Sequence, residues 1–578
     1  MELETPGGAI ASSFFEALID KLSSAETMDE NLHSRLITAL FSINVVADDA
    51  EKKQIDNFHV KEWLLGVKDG VLDAQDLVEE IHIQVSKSKQ EVAESQTSST
   101  RTNQLLGMLN VSPSSIDKNI VSRLKEIVQK LESLVSLKDV LLLNVNHGFN
   151  AGSRMLISPK MMTKQLSLIG AQGEVATRSG EVALVTASDQ IHQLHHLDEE
   201  DSWTLFAKHA FHGFDDSYAV SWTKKTTLHE KVGKKVADKC KGLPLALIAI
   251  GNLLRRNSSL QHWEKISESD AWDLAEGNRI VPALMVSYQS LPTHLKKCFE
   301  YCALFPKGYL YEKDQLCLLW MAENLIQRPR QHMTSMKEVA ESYFNDLILR
   351  SFFQPSTKYR NYFVMHDLHH DLSKSIFGEF CFTWEGRKSK NMTSITRHFS
   401  FLCDEIGSPK GLETLFDAKK LRTFLPLSMT CFEYQWLLCF NSNKLLLSEL
   451  FSKCKRLRVL SLCGCMDMIE LPDNIGNLKH LHHLDLSRTK ISKLPDTLCS
   501  LHYLQTLKVR DCQFLEELPM NLHKLVNLCY LDFSGTKVTV MPKEMGKLKN
   551  LEVLSSFYVG KGNDSSMMDL SVYVYFVT

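Results

Sequence analysis

Between residues 28 and 50 the apolar positions Leu32, Leu36, Ala39, Ile43, Val46 and Ala50 recur at alternating steps of four and three. That period belongs to a helix with one apolar stripe. Residues 57–82 repeat it with Val60, Leu64, Val67, Val71, Ala74, Val78 and Ile81. A short polar stretch at 52–56 separates the two stripes, so they are expected to fold as an antiparallel helical hairpin. Each stripe is short for a lone helix in water, and residues 14–22 and the stripe Ile120, Leu124, Ile127, Leu131 and Leu134 are the candidate partners. Between them, residues 84–118 are rich in Ser, Thr, Gln and Lys and read as a flexible linker.

The pattern changes twice more. Residues 191–289 read as helices, with an amphipathic segment at 202–211 and a second helix ending near Cys240. There Gly242, Leu243 and Pro244 follow, then the apolar run 245–254. Glycine suits a helix terminus and proline the first turn of the next helix. Residues 291–305, 314–325 and 338–350 are helical by period, whereas Phe352-Phe353 and Tyr362-Phe363-Val364 read as short strands. From Leu457 a Leu-x-x-Leu-x-Leu core restarts at Leu481, Leu504, Leu528 and Leu551, in steps of 24, 23, 24 and 23, with Leu471-Pro472, Leu494-Pro495, Leu518-Pro519 and Met541-Pro542 in step. Such a period marks a solenoid of one short strand per repeat, whose concave face binds proteins. Arg458, His482, His483, Asp485, Gln505, Lys508, Tyr530 and Asp532 stand between the leucines and are the candidate partner-binding residues. Residues 376–450 are less regular, with degenerate repeats around 421–425, and the tail 565–578 resembles no cap, which predicts a truncated array.

Composition narrows the class without naming a chemistry. A chain of 578 residues predicts three or four domains, and 44% hydrophobic with 23% charged residues is ordinary for a globular protein. A net charge of −3 gives no general attraction to nucleic acid or anionic membrane. The 14 cysteines form no framework and read as reduced, buried thiols. No leader and no run of 18 apolar residues is present, so a protein without signal peptide or transmembrane span is expected. His192, His195 and His196 lack the further ligands of a metal site, and no nucleophile, base and orienting acid stand in a catalytic order.

Gly242-Leu243-Pro244-Leu245-Ala246, the segment Cys298-Phe299-Glu300-Tyr301-Cys302, Leu318-Leu319-Trp320-Met321-Ala322-Glu323 and Met365-His366-Asp367 follow one another over about 130 residues. In order and spacing they resemble the second half of the NB-ARC module of plant intracellular nucleotide-binding leucine-rich-repeat disease resistance proteins. Asp73-Ala74-Gln75-Asp76-Leu77-Val78-Glu79-Glu80 resembles the acidic motif of that family's coiled-coil class, with Gln75 where an acid is usual. The resemblance implies a multidomain protein, α plus α/β. It would have a four-helix-type coiled-coil domain (1–83), the linker (84–118), a linker helix with a remnant of the nucleotide-binding subdomain (119–190), the helical subdomain (191–289), a winged helix (290–375), irregular early repeats (376–450) and a leucine-rich-repeat solenoid (451–578).

The resemblance further implies ADP or ATP with magnesium as cofactor, bound through Arg178, Gly242, Leu243, Pro244 and His366. It implies contacts of Asp73, Asp76, Glu79 and Glu80 with the chain's own repeats, self-association, and a pathogen effector or guarded host protein as partner of the repeats. No nucleic-acid partner is expected, because the winged-helix candidates lack a basic exposed face. The implied location is cytoplasmic, with the plasma-membrane surface or nucleus on activation. One part is missing from the sequence. A phosphate loop needs Gly-x-x-x-x-Gly-Lys-Ser/Thr to cradle phosphates with backbone N–H groups, a lysine and a magnesium-binding hydroxyl. Gly233-Lys234, Gly546-Lys547 and Gly560-Lys561 all lack the hydroxyl residue that must follow, and no strand ending in paired aspartates is present. Two readings therefore stand. One is an immune receptor with an impaired ADP/ATP switch and no enzymatic role of its own. The other is a nucleotide-independent interaction protein, whether receptor fragment, decoy or remnant, that uses its coiled coil and repeats.

Overall fold

The apolar stripes set the first elements of the computed structural model. It describes residues 30–54, 57–96, 118–143, 168–169, 175–176, 195–211, 223–257, 259–269, 272, 281–327, 335–384, 392–402, 418–427 and 444–555. Helices α1 (Glu30–Lys53) and α2 (Phe58–Gln96) form the hairpin, and α3 (Lys118–Leu137) packs along both. Leu36, Ile43, Val60, Val67, Val71, Val128 and Leu131 are buried between them, and the Trp63 indole N–H donates to the Leu134 carbonyl at 2.8 Å. Helix α2 overruns its expected end. Residues 84–96 continue it in place of a linker, because they hold no Gly or Pro and are rich in the helix formers Lys, Gln and Glu. The candidate partner at 14–22, the linker residues 97–117 and the tail lie outside the described residues.

The strand pair β1 (Leu168–Ile169) and β2 (Val175–Ala176) is followed by α4 (Glu199–Phe211), α5 (Thr223–Lys239), α6 (Pro244–Arg255) and α7 (Leu260–Ser267). The winged helix comprises α8 (Val281–Gln289), α9 (Thr293–Tyr301), β3 (Tyr311–Glu312), α10 (Lys313–Ala322), α11 (Met336–Leu349), β4 (Gln354–Pro355), β5 (Tyr362–Val364) and α12 (Asp367–Phe377). Its wing is the antiparallel sheet β3-β5-β4. Phe352 and Phe353 are core residues just before β4, not a strand. Ser335 begins α11 with a capping box to Glu338.

The solenoid starts earlier than the leucine pattern suggests. Strands β6 (Cys381–Trp384), β7 (His398–Leu402) and β8 (Thr423–Leu427) already belong to a parallel sheet. After α13 (Lys444–Lys453) the sheet continues through β9 (Val459–Ser461), β10 (His483–Asp485), β11 (Thr506–Lys508), β12 (Tyr530–Asp532) and β13 (Val553–Leu554), in chain order. The early strands carry phenylalanine where the later ones carry leucine, and Phe382, Phe399 and Phe424 stack across them. Each later strand ends in a turn with left-handed φ, at Gly464 (76°), Arg488 (58°), Asp511 (58°) and Gly535 (71°). A Cβ on Gly535 would come within 2.3 Å of the Asp511 carboxylate, so glycine is required there. Two apolar cores result. One runs through the helical hairpin, α4–α12 and the winged helix, and the other fills the repeats. Among the described residues no helix is long and apolar enough to cross a membrane.

Candidate functional site: an acidic helix face on a column of arginines

On α2 the residues Asp69, Asp73 and Asp76 lie at steps of four and three, so they share one helix face. That face meets the rim of the solenoid. Arg397, Arg422, Arg458, His482 and Gln505 each stand one residue before β7, β8, β9, β10 and β11. The backbone ladder stacks them in a column: Arg422 N–H donates to the Arg397 carbonyl at 2.6 Å, Arg458 N–H to that of Arg422 at 2.7 Å and His482 N–H to that of Arg458 at 2.8 Å. Neighbouring strands are about 4.8 Å apart, so three guanidiniums in such a column repel one another unless carboxylates come between them.

The carboxylates of α2 do so. Arg397 donates to Asp69 at 2.7 Å, to Asp73 at 3.0 Å and to Asp76 at 3.2 Å. Lys420 reaches Asp69 at 2.9 Å and Asp73 at 2.7 Å. Arg422 donates to Asp76 at 2.5 Å and to the Leu72 carbonyl at 2.7 Å. Arg456 donates to Asp76 at 3.1 Å, and Arg458 to Asp76 at 3.2 Å and Glu79 at 2.8 Å. Arg397, Arg422, Arg458 and Asp76 are all buried. Glu323, at the end of α10, accepts from the Thr423 hydroxyl at 2.5 Å and lies 3.9 Å from Arg458. Helical domain, winged helix and repeats thus converge on one charge-balanced cluster.

Burial opposes the charge on Asp76, but Arg422, Arg458, Arg397 and Arg456 outweigh it and hold the carboxyl at about 2. Asp69 is likewise held at about 2, with Arg397, Lys130 and Lys420 overcoming its burial. Burial and the guanidiniums of Arg458 and Arg397 pull Arg422 down to about 10 despite Asp76. For the two aspartates the folded value lies below the unfolded one. Their stabilisation is therefore present above the unfolded value near 4 and is lost as pH falls from there through 2. Acid titration followed by limited proteolysis should release the helical domain from the repeats in that window, and docking should hold from pH 5 to 8.

The other expected partner-binding residues have duties within the chain. Glu80 turns away from the repeats and pairs with Arg123 of α3 at 2.7 Å. His482 and His483 are buried. Asp485 and Asp532 accept the backbone N–H of Ser487 and Ser534 two residues on, at 2.9 and 3.1 Å, which closes the turn after the strand. Lys508 donates to Gln315 of the winged helix at 2.9 Å, and Tyr530 packs against the helical core. Gln505 is partly buried, with its carbonyl taking the N–H groups of Cys529 and Tyr530. In this arrangement the concave residues are largely covered by the chain's own domains.

The residues expected to touch nucleotide are placed as follows. Gly242 has φ of 72°, and a Cβ there would meet the Leu197 carbonyl at 2.3 Å. Leu243 caps α6 with extended backbone and Pro244 is its first residue. His366 is the N-cap of α12, its Nδ1 accepting the Leu368 N–H at 3.2 Å. Arg178 and His192 lie outside the described residues. His196 Nδ1 lies 2.8 Å from the Lys241 carbonyl and so braces the same turn as Gly242.

Sequence reasoning missed Asp69, Arg397, Lys420, Arg422, Arg456 and Glu323. A signal for part of the set was available: Leu421-Arg422 and Leu457-Arg458 place arginine directly after the leucine that opens a strand.

Three family models match the chain: the Rx N-terminal domain over residues 9–106, the Disease resistance protein Winged helix domain over 304–373 and a Leucine-rich repeat region over 437–572. Among curated relatives, Putative disease resistance RPP13-like protein 1 of Arabidopsis thaliana is 38% identical over 58% of this chain and 31% of its own length. Putative disease resistance protein At3g14460 of Arabidopsis thaliana is 36% identical over 58% and 23%. Putative disease resistance protein RGA1 of Solanum bulbocastanum is 32% identical over 55% and 28%. The chain thus spans less than a third of the length of each of these relatives.

Proposed function

The chain belongs to the coiled-coil class of plant nucleotide-binding leucine-rich-repeat disease resistance proteins, and on that premise we propose that it serves plant defence as an immune-receptor chain held closed by its own charges. The observation that carries this reading is the seating of Asp69, Asp73, Asp76 and Glu79 on Arg397, Arg422, Arg456 and Arg458. A partner of the repeats, an effector or a guarded host protein, competes for a concave face that the helical domain and winged helix now occupy. Recognition is then the exchange of internal for external contacts, and its energy is set by the affinity difference between the closed and open arrangements.

Among the described residues, two of those expected to hold the family's cofactor, ADP or ATP with magnesium, have duties within the fold that support a reading without it. Gly242 is packed on the backbone of Leu197, and the Nδ1 of His366 is taken up by its own helix. The sequence offers no phosphate loop to add N–H groups and a lysine. We therefore favour a mechanism without nucleotide turnover. Protein purified under native conditions and then denatured should release far less than one ADP or ATP per chain. About one ADP per folded chain would overturn this part of the reading and restore the nucleotide switch.

A further inference from the structure

The carboxylates seated on the arginine column come from two domains. Asp69, Asp73, Asp76 and Glu79 belong to α2, and they leave the column if the helical domain undocks. Lys130 of α3, which pairs with Asp69 at 2.7 Å, leaves with them. Of the described carboxylates paired with Arg397, Lys420, Arg422, Arg456 and Arg458, Glu323 alone lies outside the helical domain. Glu323 is the C-cap of α10. The negative end of the helix dipole lies there and disfavours an acid, so local structure does not account for this residue. Its side chain is buried and is fixed from the repeats: the Thr423 hydroxyl donates to it at 2.5 Å, and His398 Nδ1 lies 3.6 Å away.

The same helix end touches both sides of one ion pair. One amino group of Arg458 donates to Glu79 at 2.8 Å and to Asp76 at 3.2 Å. The other donates to the Glu323 carbonyl at 3.3 Å and lies 3.9 Å from the Glu323 carboxylate. That last separation is about 1 Å longer than a charge-assisted hydrogen bond. Asn324, the next residue, donates to Glu79 at 3.1 Å. In the closed arrangement Arg458 is thus drawn to α2, with the Glu323 carboxylate as its longer contact on the opposite side.

We propose that Glu323 is the exchange partner of the arginine column: when α2 leaves, Arg458 closes onto Glu323, and the clamp opens more readily than it would without this residue. Removing the Glu323 charge takes a carboxylate from both arrangements. The closed one keeps those of α2, whereas the open one loses the only described carboxylate left to the column. A buried guanidinium without a counter-ion is costly, so the open arrangement is raised more than the closed one and the equilibrium moves toward closed. The direction is opposite to that of the α2 acids. Loss of Asp76 loosens the clamp, and loss of Glu323 tightens it. This inference rests on the charge clamp proposed above and names the residue that sets how readily it opens.

Arginine modification by phenylglyoxal on the full chain, read residue by residue by mass spectrometry, tests this. Arg397 is fully buried and pairs with Asp69, Asp73 and Asp76 of α2. Where reclosing outpaces labelling, its modification rate follows the open population. The exposed Arg510 serves as internal reference. Asp76→Asn should raise the Arg397 rate. Glu323→Gln, which keeps an acceptor for the Thr423 hydroxyl, should lower it about tenfold, a size usual for coupling between sites. Glu323→Asp keeps the charge but shortens its reach, so its rate should fall between those of the parent and Glu323→Gln. It also carries the test if the glutamine variant does not fold. An Arg397 rate that is unchanged or raised in a folded Glu323 variant, while Asp76→Asn still raises it, would overturn this inference and leave the clamp standing. No rise with Asp76→Asn would remove the clamp itself, and this inference with it.

Discussion

Replacing Asp76 by lysine is expected to detach the helical hairpin from the solenoid while each keeps its own fold. Asp76 is 3% exposed and accepts from Arg397, Arg422, Arg456 and Arg458. Removing one partner of a buried ion pair costs about 3–5 kcal/mol, because the other charge is left without compensation. Reversal adds a fifth cation beside four guanidiniums, so the loss exceeds that of truncation. Leu36, Val67 and Leu131 of the hairpin belong to the apolar core it shares with the winged helix, and the repeats have a separate one. The expected readout is therefore separation: a larger hydrodynamic radius, a new protease-sensitive site between the domains, and retained helix signal by circular dichroism. Combining Asp76→Lys with Arg422→Asp should recover part of the docking. A single variant that stays as compact and protease-resistant as the parent would show that the cluster does not hold the domains together.

The sequence made one side of this contact visible and hid the other. The acidic face of α2 is local. Its residues are three and four apart, so a helical period exposes Asp73 and Asp76, and Asp69 follows from one more turn. The arginines are not local. Arg397, Arg422 and Arg458 are separated by 25 and 36 residues, and only the solenoid brings them within one strand spacing of each other. Between Leu427 and Val459 the chain inserts α13, which breaks the period that the later repeats keep. Of the early strands only β8 was foreshadowed, by the degenerate repeat around 421–425; β6 and β7 escaped notice because phenylalanine replaces leucine, as at Phe399, so the apolar role was preserved while the letter was not. The later repeats were readable because Leu481, Leu504 and Leu528 fill equivalent places in one core and are all fully buried. Several of their concave residues meet the chain's own domains in the structure, as Lys508 meets Gln315. A period in sequence shows which way a side chain points and says nothing of which domain later folds over it.

The second contact of the helical hairpin is of opposite character and should respond differently to mutation. On the winged helix, Lys296 and Glu300 of α9 stand one helical turn apart. They meet Glu51 of α1 at 3.5 Å and Lys68 of α2 at 3.4 Å. All four side chains are buried, and Glu300 also accepts from the Tyr288 hydroxyl at 3.2 Å. These pairs are longer than most of those in the arginine cluster. Burial holds the Glu300 carboxyl above its usual range in spite of Lys68, with Glu51 adding to the rise. The sign is the reverse of that for Asp76. A carboxyl whose folded value is raised stabilises less as pH rises from its unfolded value through its folded one, so on acidification this contact reaches its full contribution before the arginine cluster begins to weaken. Desolvation here is poorly offset, and replacing both partners of such a pair by apolar residues of similar size is often neutral or stabilising by 1–4 kcal/mol. Glu51→Leu with Lys296→Met should therefore leave the unfolding midpoint unchanged or raise it. Glu51→Leu alone strands Lys296 and should destabilise by about 3–5 kcal/mol. If the double variant lost as much as the single one, the pair would be a net source of stability. The winged helix would then be held to the hairpin by charge, as the repeats are, and not by the apolar core that α1, α2 and α9 share.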